Sequence, residues 1–155
     1  MRLQHVGICV KDMEKSLEFY QGALGLTLFQ DHMISGPEVD MGLMERGAKV
    51  RMVVVADEAG NMIELFGWES PEARERPPEH QRFTSVGIVE VCLVVDSLDE
   101  AERRLSERGY SFRNPVWNFG KGEDWYGGSY AKIRYVEDPD GIQVELMEFV
   151  LAEDT

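Results

Sequence analysis

An internal repeat constrains the fold of this chain more than any other feature, because the same order of predicted elements occurs twice. Period-2 alternation of apolar residues predicts a strand at residues 3–10 and another at Val89–Val95, and a helical pattern follows each. An offset of 85 residues, which places His5 on Glu90, aligns these strands, and an offset of 81 residues aligns the final hairpins. Repetition over two blocks therefore predicts two modules of one fold.

Each half is predicted to have the order βαβββ. In the first half, Asp12 caps a helix that ends near Gly25. The strands after this helix are predicted at Leu26–Gln30, Lys49–Ala56 and Met62–Gly67. Residues 31–47 have mixed periodicity and are left unassigned.

In the second half, Asp96 or Ser97 caps a helix that ends at Gly109. The later strands are predicted at Tyr110–Arg113, Ala131–Glu137 and Ile142–Phe149. The fold class is therefore α+β, with two tandem βαβββ modules that form a curved mixed β-sheet cleft with helices outside. The predicted boundaries are 1–68 for the first module, 69–84 for a polar linker and 85–150 for the second module, together one domain of 155 residues.

The amino-acid composition disfavours some kinds of binding partner. The formal net charge of −13 disfavours nucleic acid, because binding to phosphate backbones depends on clustered Lys and Arg. The apolar runs are too short and too charged for a membrane span, and the first residues lack the pattern of a signal peptide. We expect a cytoplasmic protein whose Cys9 and Cys92 are reduced, buried thiols.

Four ionisable residues occupy equivalent positions in the two halves. His5 and Glu90 lie on the first predicted strands, and Glu64 and Glu145 lie on the last. A carboxylate in an apolar strand is costly to bury unless it is paired or bound to a cation. If the two sheets face each other, the four side chains converge on one site for a divalent ion such as Ni, Co, Zn, Mn or Fe. Taken singly, each of these residues is more often a solvated carboxylate or a packed histidine.

Several motifs resemble the vicinal oxygen chelate superfamily, which includes glyoxalase I, methylmalonyl-CoA epimerase, extradiol dioxygenases and bleomycin resistance proteins. The resemblance rests on the segments Leu3–Met13, Phe19-Tyr20, Leu24-Gly25-Leu26 and Glu137–Leu146. It covers nearly the whole chain and is specific for the fold and the ligand positions. It carries little information about the substrate, because one scaffold hosts many reactions.

The resemblance implies that His5, Glu64, Glu90 and Glu145 are the metal ligands. The third position departs from the family pattern, where His is common. Either Glu90 is a ligand and makes the site unusually anionic, or the metal is held by three residues, or it is absent; we favour the first. The implied function is a lyase or isomerase, similar to lactoylglutathione lyase or to an epimerase. In that reaction the metal chelates two neighbouring oxygens of a small substrate, and Glu64 or Glu145 carries a proton.

Two other functions stay open at this point. An extradiol dioxygenase typically uses two His and one carboxylate, whereas this chain supplies only His5 at a ligand position. A non-catalytic binding or antibiotic-resistance protein would use the same cleft without a metal. His32 and His80 fall in irregular segments and are predicted to be exposed loop residues, although His32 is also a candidate acid or base.

The clues to substrate and assembly are fewer. Aromatic residues cluster in the loop Asn114–Tyr130, which also holds four glycines and fits either a lid over the cleft or a subunit interface. The acidic chain disfavours polyanionic substrates. We expect a homodimer, because exposed edge strands need cover and subunit pairing commonly provides it.

Overall fold

The structure is a computed structural model that describes residues 3–124 and 126–152. The chain divides between Arg76 and Pro77 into two compact units. Each unit contains a four-stranded mixed sheet and at least one helix, so the prediction of two tandem α+β modules is confirmed. The division falls inside the segment 69–84 that the sequence marks as a linker.

The first unit has the strand order β1-β4-β3-β2, with β1 parallel to β4 and the other pairs antiparallel. Its strands are β1 (His5–Val10), β2 (Thr27–Ser35), β3 (Lys49–Ala56) and β4 (Met62–Ser70). The second strand is longer than the predicted Leu26–Gln30 and contains a bulge between Leu28 and Gln30. This extra length accounts for the first part of the unassigned segment.

Helix α1 (Met13–Leu17) begins where the sequence predicts, because the Asp12 side chain accepts a hydrogen bond from the Lys15 N–H. A π-helical turn, Glu18–Ala23, continues it and buries Phe19 and Tyr20 completely. The helix thus packs its aromatic face into the core of the first unit. Burial of each such ring contributes roughly 1.5–3 kcal/mol.

A short helix that the sequence did not reveal, α2 (Pro37–Leu43), occupies the middle of the remaining unassigned segment. The Asp40 carboxylate accepts hydrogen bonds from the N–H groups of Gly47 and Ala48, at 2.9 and 2.8 Å. These contacts return the chain to the start of β3. Their partners are seven and eight residues apart in sequence, beyond the range of any helical pattern.

The second unit has the order β5-β8-β7-β6 and the same mixture of one parallel and two antiparallel pairs. Its strands are β5 (Val91–Val94), β6 (Trp117–Phe119), β7 (Tyr130–Glu137) and β8 (Gln143–Val150). Helix α3 (Leu98–Ser106) is capped by Ser97 and buries Leu98, Ala101 and Leu105.

The predicted strand Tyr110–Arg113 is wrong, since only an isolated bridge between Phe112 and Val136 forms there. The Asn114 side chain accepts a hydrogen bond from the Tyr135 N–H at 2.8 Å, and the Asn114 carbonyl accepts one from Arg134 Nε. The first of these bonds occupies the Tyr135 N–H of β7. Pro115, the next residue of the chain, has no backbone N–H with which to continue the pairing. Regular pairing therefore begins only at Trp117.

The strand registers repeat between the units with the offsets found in the sequence. The Gly7–Glu64 pair of β1 and β4 corresponds to the Cys92–Glu145 pair of β5 and β8. The two hairpins agree as well, because the Asp57 N–H bonds the carbonyl of Asn61 and its counterpart at position 138 bonds that at 142. The duplication is therefore one of hydrogen-bond pattern as well as of element order.

The two cysteines, Cys9 and Cys92, form no disulfide. Both are exposed, so the prediction that they are buried is wrong. Strand alternation explains this, since each lies on the sheet face opposite to the helix-packed core. None of the helices formed by the described residues has the length and apolar character that a membrane span requires.

Candidate metal and proton-transfer site

In the first unit, parallel pairing of β1 with β4 brings His5 and Glu64 onto one face of the sheet. The two residues are close enough for His5 Nε2 to lie 3.2 Å from Glu64 Oε2. The side chain of His5 is 45% exposed and that of Glu64 is 15% exposed. Gln4 Oε1 contacts the other ring nitrogen, Nδ1. A histidine oriented from both sides in this way can present one nitrogen to a metal or a proton.

Small and apolar residues flank Glu64 on its neighbouring strands. Gly7 lies opposite Glu64 on β1, and Val54 lies opposite it on β3. Neither side chain can donate a hydrogen bond to the carboxylate. His5 is an ionisable contact of Glu64 on this face.

In the second unit, Glu90 immediately precedes β5 and Glu145 lies in the middle of β8. Glu145 is only 6% exposed, which is rare for a carboxylate. Its cross-strand neighbours are Cys92 on β5 and Tyr135 on β7. Both can donate a hydrogen bond to the Glu145 carboxylate, so the two units differ in the residues that surround the equivalent glutamates.

The Glu145 carboxyl group has a raised pKa. Burial is the main cause, and the nearby charge of Glu90 adds to it, whereas the hydrogen bonds from Cys92 and Tyr135 oppose the increase. The charged form is therefore more costly here than in water. A group of this kind accepts a proton more readily than an ordinary carboxylate does.

The two flanking donors keep their protons. Partial burial, followed by the charge and the hydrogen bond of Glu145, raises the pKa of the Cys92 thiol to about 12, although the residue as a whole is exposed. Burial and the charges of Glu145 and Glu90 also raise the pKa of the Tyr135 hydroxyl. Near neutral pH, both groups are neutral donors beside two carboxylates.

The chemistry of this cluster fits a divalent cation. Glu90 Oε2 is buried and finds no hydrogen-bond partner among the described residues. A buried carboxylate oxygen without a partner carries a desolvation cost that a bound cation would remove. The four predicted ligands thus occur as a His5–Glu64 pair in one unit and a Glu90–Glu145 pair in the other.

Within residues 3–124 and 126–152, no group of three or more His, Cys, Asp and Glu side chains lies close enough together to hold a metal ion. The first unit contains two of the four predicted ligands, and the second unit contains the other two. The assignment of all four to one ion stays a prediction.

Sequence reasoning missed the donors around Glu145. Tyr135 was assigned only to a strand, and Cys92 was interpreted as a buried thiol. The offsets of the repeat could have drawn attention to these two residues, because they align Cys92 with Gly7 and Tyr135 with Val54 of the first half. The pairing register is needed to show that these positions lie opposite a carboxylate.

His32 and His80 are the remaining candidates. His32 lies within β2, so its assignment to a loop is wrong, but it is exposed as expected. It pairs with Met52, which pairs in turn with Phe66, and it therefore shares the sheet face of Glu64. His80 lies in a 3-10 turn, Pro78–Gln81, and is exposed.

Comparison with known proteins places residues 2–146 in one family, described as the Glyoxalase/Bleomycin resistance protein/Dioxygenase superfamily. The sequence is 29% identical over 149 residues to lactoylglutathione lyase of Escherichia coli O157:H7, with 96% of this chain and 93% of that protein covered. It is 25% identical over 150 residues to lactoylglutathione lyase of Schizosaccharomyces pombe. That match covers 94% of this chain, which spans 47% of the yeast protein.

Solved structures show the same fold. A glyoxalase family protein from Bacillus cereus superposes with a TM-score of 0.83 at 19% identity, covering 97% of this chain and 95% of that one. An antibiotic binding protein from Streptomyces sp. CB03234 superposes with a TM-score of 0.57 at 24% identity, covering 96% and 95%. At these identities the likeness concerns the fold.

Proposed function

Because the chain belongs to the glyoxalase/bleomycin resistance protein/dioxygenase superfamily, we propose that it is a divalent-metal-dependent lyase or isomerase of the glyoxalase or epimerase type. The observation that carries this proposal is the pair of close carboxylates, Glu90 and Glu145, with a buried oxygen of Glu90 that lacks a partner among the described residues. The lactoylglutathione lyases among its relatives support the reaction class.

His5, Glu64, Glu90 and Glu145 are the proposed ligands, and Ni, Co, Zn, Mn and Fe are the candidate ions. One imidazole and three carboxylates form a donor set of hard to borderline character. When bound, a divalent ion polarises two neighbouring oxygens of a substrate and stabilises the negative charge that develops on them.

Proton transfer is the proposed role of Glu64 and Glu145. The raised pKa of Glu145 makes it a stronger base than a solvated glutamate, so it can accept a proton from a carbon next to a carbonyl group. Glu64 belongs to the first unit, where its carboxylate contacts His5. Each carboxylate can remove a proton from a carbon next to a carbonyl group and return it to a neighbouring atom.

The side chains next to the carboxylates favour a small substrate with apolar or aromatic parts. On the sheet face of Glu145, the next cross-strand row contains Met147, Ile133 and Trp117. On the face of Glu64, the next row contains Phe66 and Met52, with Cys9 and His32 at its two ends. Apolar surface of this kind is typical of small-molecule sites and offers little to a polyanion.

Metal content of purified variants tests the proposal. We expect stoichiometric metal in the wild type and its loss in His5→Ala, Glu64→Ala and Glu145→Ala. Glu69→Ala is the matched control, because Glu69 is an exposed carboxylate on β4 that pairs with Lys49. Retention of metal in all three ligand variants would overturn the site, and a wild type without stoichiometric metal would favour a non-catalytic binding protein.

Isotope exchange tests the reaction class. We expect the metal-loaded protein to exchange solvent deuterium into the carbon next to the carbonyl of a 2-oxo or α-acidic carbonyl compound. Consumption of oxygen with a catechol, without such exchange, would instead indicate an extradiol dioxygenase. Both measurements use the same protein preparation, so they separate the two reaction classes directly.

A homodimer is the proposed assembly. Strand β2 is the edge of its sheet and is exposed along most of its length, including Phe29 at 61% and Met33 at 46%. An exposed edge with apolar side chains is commonly covered by a second subunit. Light scattering after gel filtration checks this, and a monomer at micromolar concentration would contradict it.

A further inference from the structure

We propose that Tyr135 and Phe83 are positioning residues that hold the Glu145 carboxylate in one orientation. Tyr135 acts through its hydroxyl group, and Phe83 acts by supporting the ring of Tyr135. The inference rests on the proposed role of Glu145 as a ligand and proton carrier. All three residues belong to the second unit.

The pairing of β7 with β8 determines the position of Tyr135. Tyr135 lies directly opposite Glu145, so both side chains leave the sheet on the same face. The hydroxyl group is within hydrogen-bonding reach of both Glu145 and Glu90. A donor that interacts with two carboxylates restricts the rotation of both, as the partners around metal ligands commonly do.

Phe83 extends this contact to the segment that joins the two units. Its ring packs edge-on against the ring of Tyr135, with centroids 5.2 Å apart and an interplanar angle of 74°. A turn presents Phe83, because the Ser85 N–H donates to the Arg82 carbonyl at 2.9 Å. Phe83 is 51% exposed, so this ring contact supports Tyr135 without burying Phe83 in a core.

The first unit shows that the fold does not require this arrangement. Val54 occupies the position of Tyr135 and pairs with Glu64 in the same register. The same backbone therefore forms with an apolar residue opposite the glutamate. The hydroxyl of Tyr135 must serve the carboxylates near it rather than the sheet.

Cys92 completes the surroundings of Glu145 from the other side. It lies opposite Glu145 on β5, and its thiol also donates to the carboxylate. A thiol is a weak donor, whereas a phenol is a strong one. We therefore assign the larger part of the positioning to Tyr135.

Titration of the metal-free protein with cobalt(II) tests the assignment. Tyr135→Phe deletes the hydroxyl and keeps the ring, and we expect it to weaken cobalt(II) binding by about 10–100-fold. Phe83→Leu should weaken binding by a smaller factor, and it should have no further effect when Tyr135→Phe is already present. Tyr126→Phe, which removes the hydroxyl of an exposed tyrosine of the same unit, should bind like the wild type.

Unchanged cobalt(II) affinity in Tyr135→Phe, or an equal loss in Tyr126→Phe, would overturn the positioning role. A double-mutant cycle in the metal-free protein separates this failure from failure of the proposed function. Tyr135→Phe and Glu145→Gln should be non-additive in urea unfolding if the hydroxyl and the carboxylate interact. Additive effects would reject the contact even if the wild type binds no cobalt(II).

Discussion

The two units place different chemistry on the same four positions of one sheet face. In the first unit these positions hold His5, Gly7, Val54 and Glu64, and in the second they hold Glu90, Cys92, Tyr135 and Glu145. The glutamate at the fourth position is flanked by small or apolar residues in one unit and by two donors in the other. A repeated backbone therefore does not imply repeated roles, and the second unit is the one built to hold a carboxylate in place.

The residues that contact the first turn of α1 and of α3 also differ between the two units. In the second unit, Glu148 accepts a hydrogen bond from the Leu98 N–H at 2.7 Å and one from Lys132 at 2.8 Å. The equivalent of Glu148 in the first unit is Gly67, which lies under the Met13 side chain. One helix start is thus held by charge and the other by close packing.

The largest expected effect distinguishes the two glutamates. Glu145→Gln should lower the rate of deuterium exchange by roughly 10²–10⁴-fold, because the amide cannot act as a base. Glu64→Gln, measured with the same compound, should be less severe if the residue with the raised pKa carries the proton. Equal losses would show that the proton-transfer role is shared, and a greater loss in Glu64→Gln would reverse the comparison.

A smaller effect is expected at the start of α3. Glu148→Ala removes two hydrogen bonds to a carboxylate that is 16% exposed, and it should lower the free energy of unfolding by about 1.5–3 kcal/mol. Urea denaturation measures this value. Glu100→Ala provides the control, because it removes an exposed carboxylate from the same helix.

The contribution of Glu148 should also depend on pH. Burial alone would raise the pKa of Glu148, but the bonds from Lys132 and the Leu98 N–H outweigh burial and hold the pKa below its usual range. The stabilisation is therefore present above the unfolded value of 4.5 and is lost as the pH falls through the lower folded pKa. A constant difference between wild type and Glu148→Ala down to strong acid would contradict this assignment.

Glu145 should show the opposite pH dependence in metal-free protein. Its folded pKa is raised, so ionisation weakens the folded state as the pH rises from 4.5 through the folded value. Glu145→Gln should therefore gain stability relative to the wild type at neutral pH, and the gain should vanish below pH 4.5. Thermal unfolding across this range tests the sign, and a gain that appears only in acid would refute it.

The smallest effect is expected at Gly67. A Cβ atom added there would lie 3.1 Å from Met13 Cε, so Gly67→Ala should reduce stability by roughly 1 kcal/mol as the flexible Met side chain shifts. Gly42→Ala is a suitable comparison, because a Cβ atom there meets nothing within 4 Å. Equal stability of the two variants would show that Met13 adapts at no cost.

The sequence predicted the features that depend on short-range patterns. Asp12 and Ser97 start helices as expected, because a cap and its N–H partner are three residues apart. The repeat also predicted both hairpins and the equivalence of Glu64 with Glu145, since strand alternation and offsets can be read directly. The family and the fold class followed from the same motifs.

Features that depend on distant partners could not be predicted. The Asn114 side chain delays β6 by pairing with Tyr135, 21 residues away, and no local pattern reveals that contact. Asp40 organises the return to β3 in a similar way. The donors around Glu145 were missed for the same reason, because only the register of three strands brings them together.

Parallel pairing of the first strand with the last has a consequence for synthesis of the protein on the ribosome. In each unit the first strand finds its partner only when the fourth strand has been made, so the pairing of β1 with β4 cannot be complete before Gly67 emerges. Until then β1 (His5–Val10) lacks the partner strand that it has in the finished sheet. The first unit can close while the second is still being translated, because domains generally fold as units.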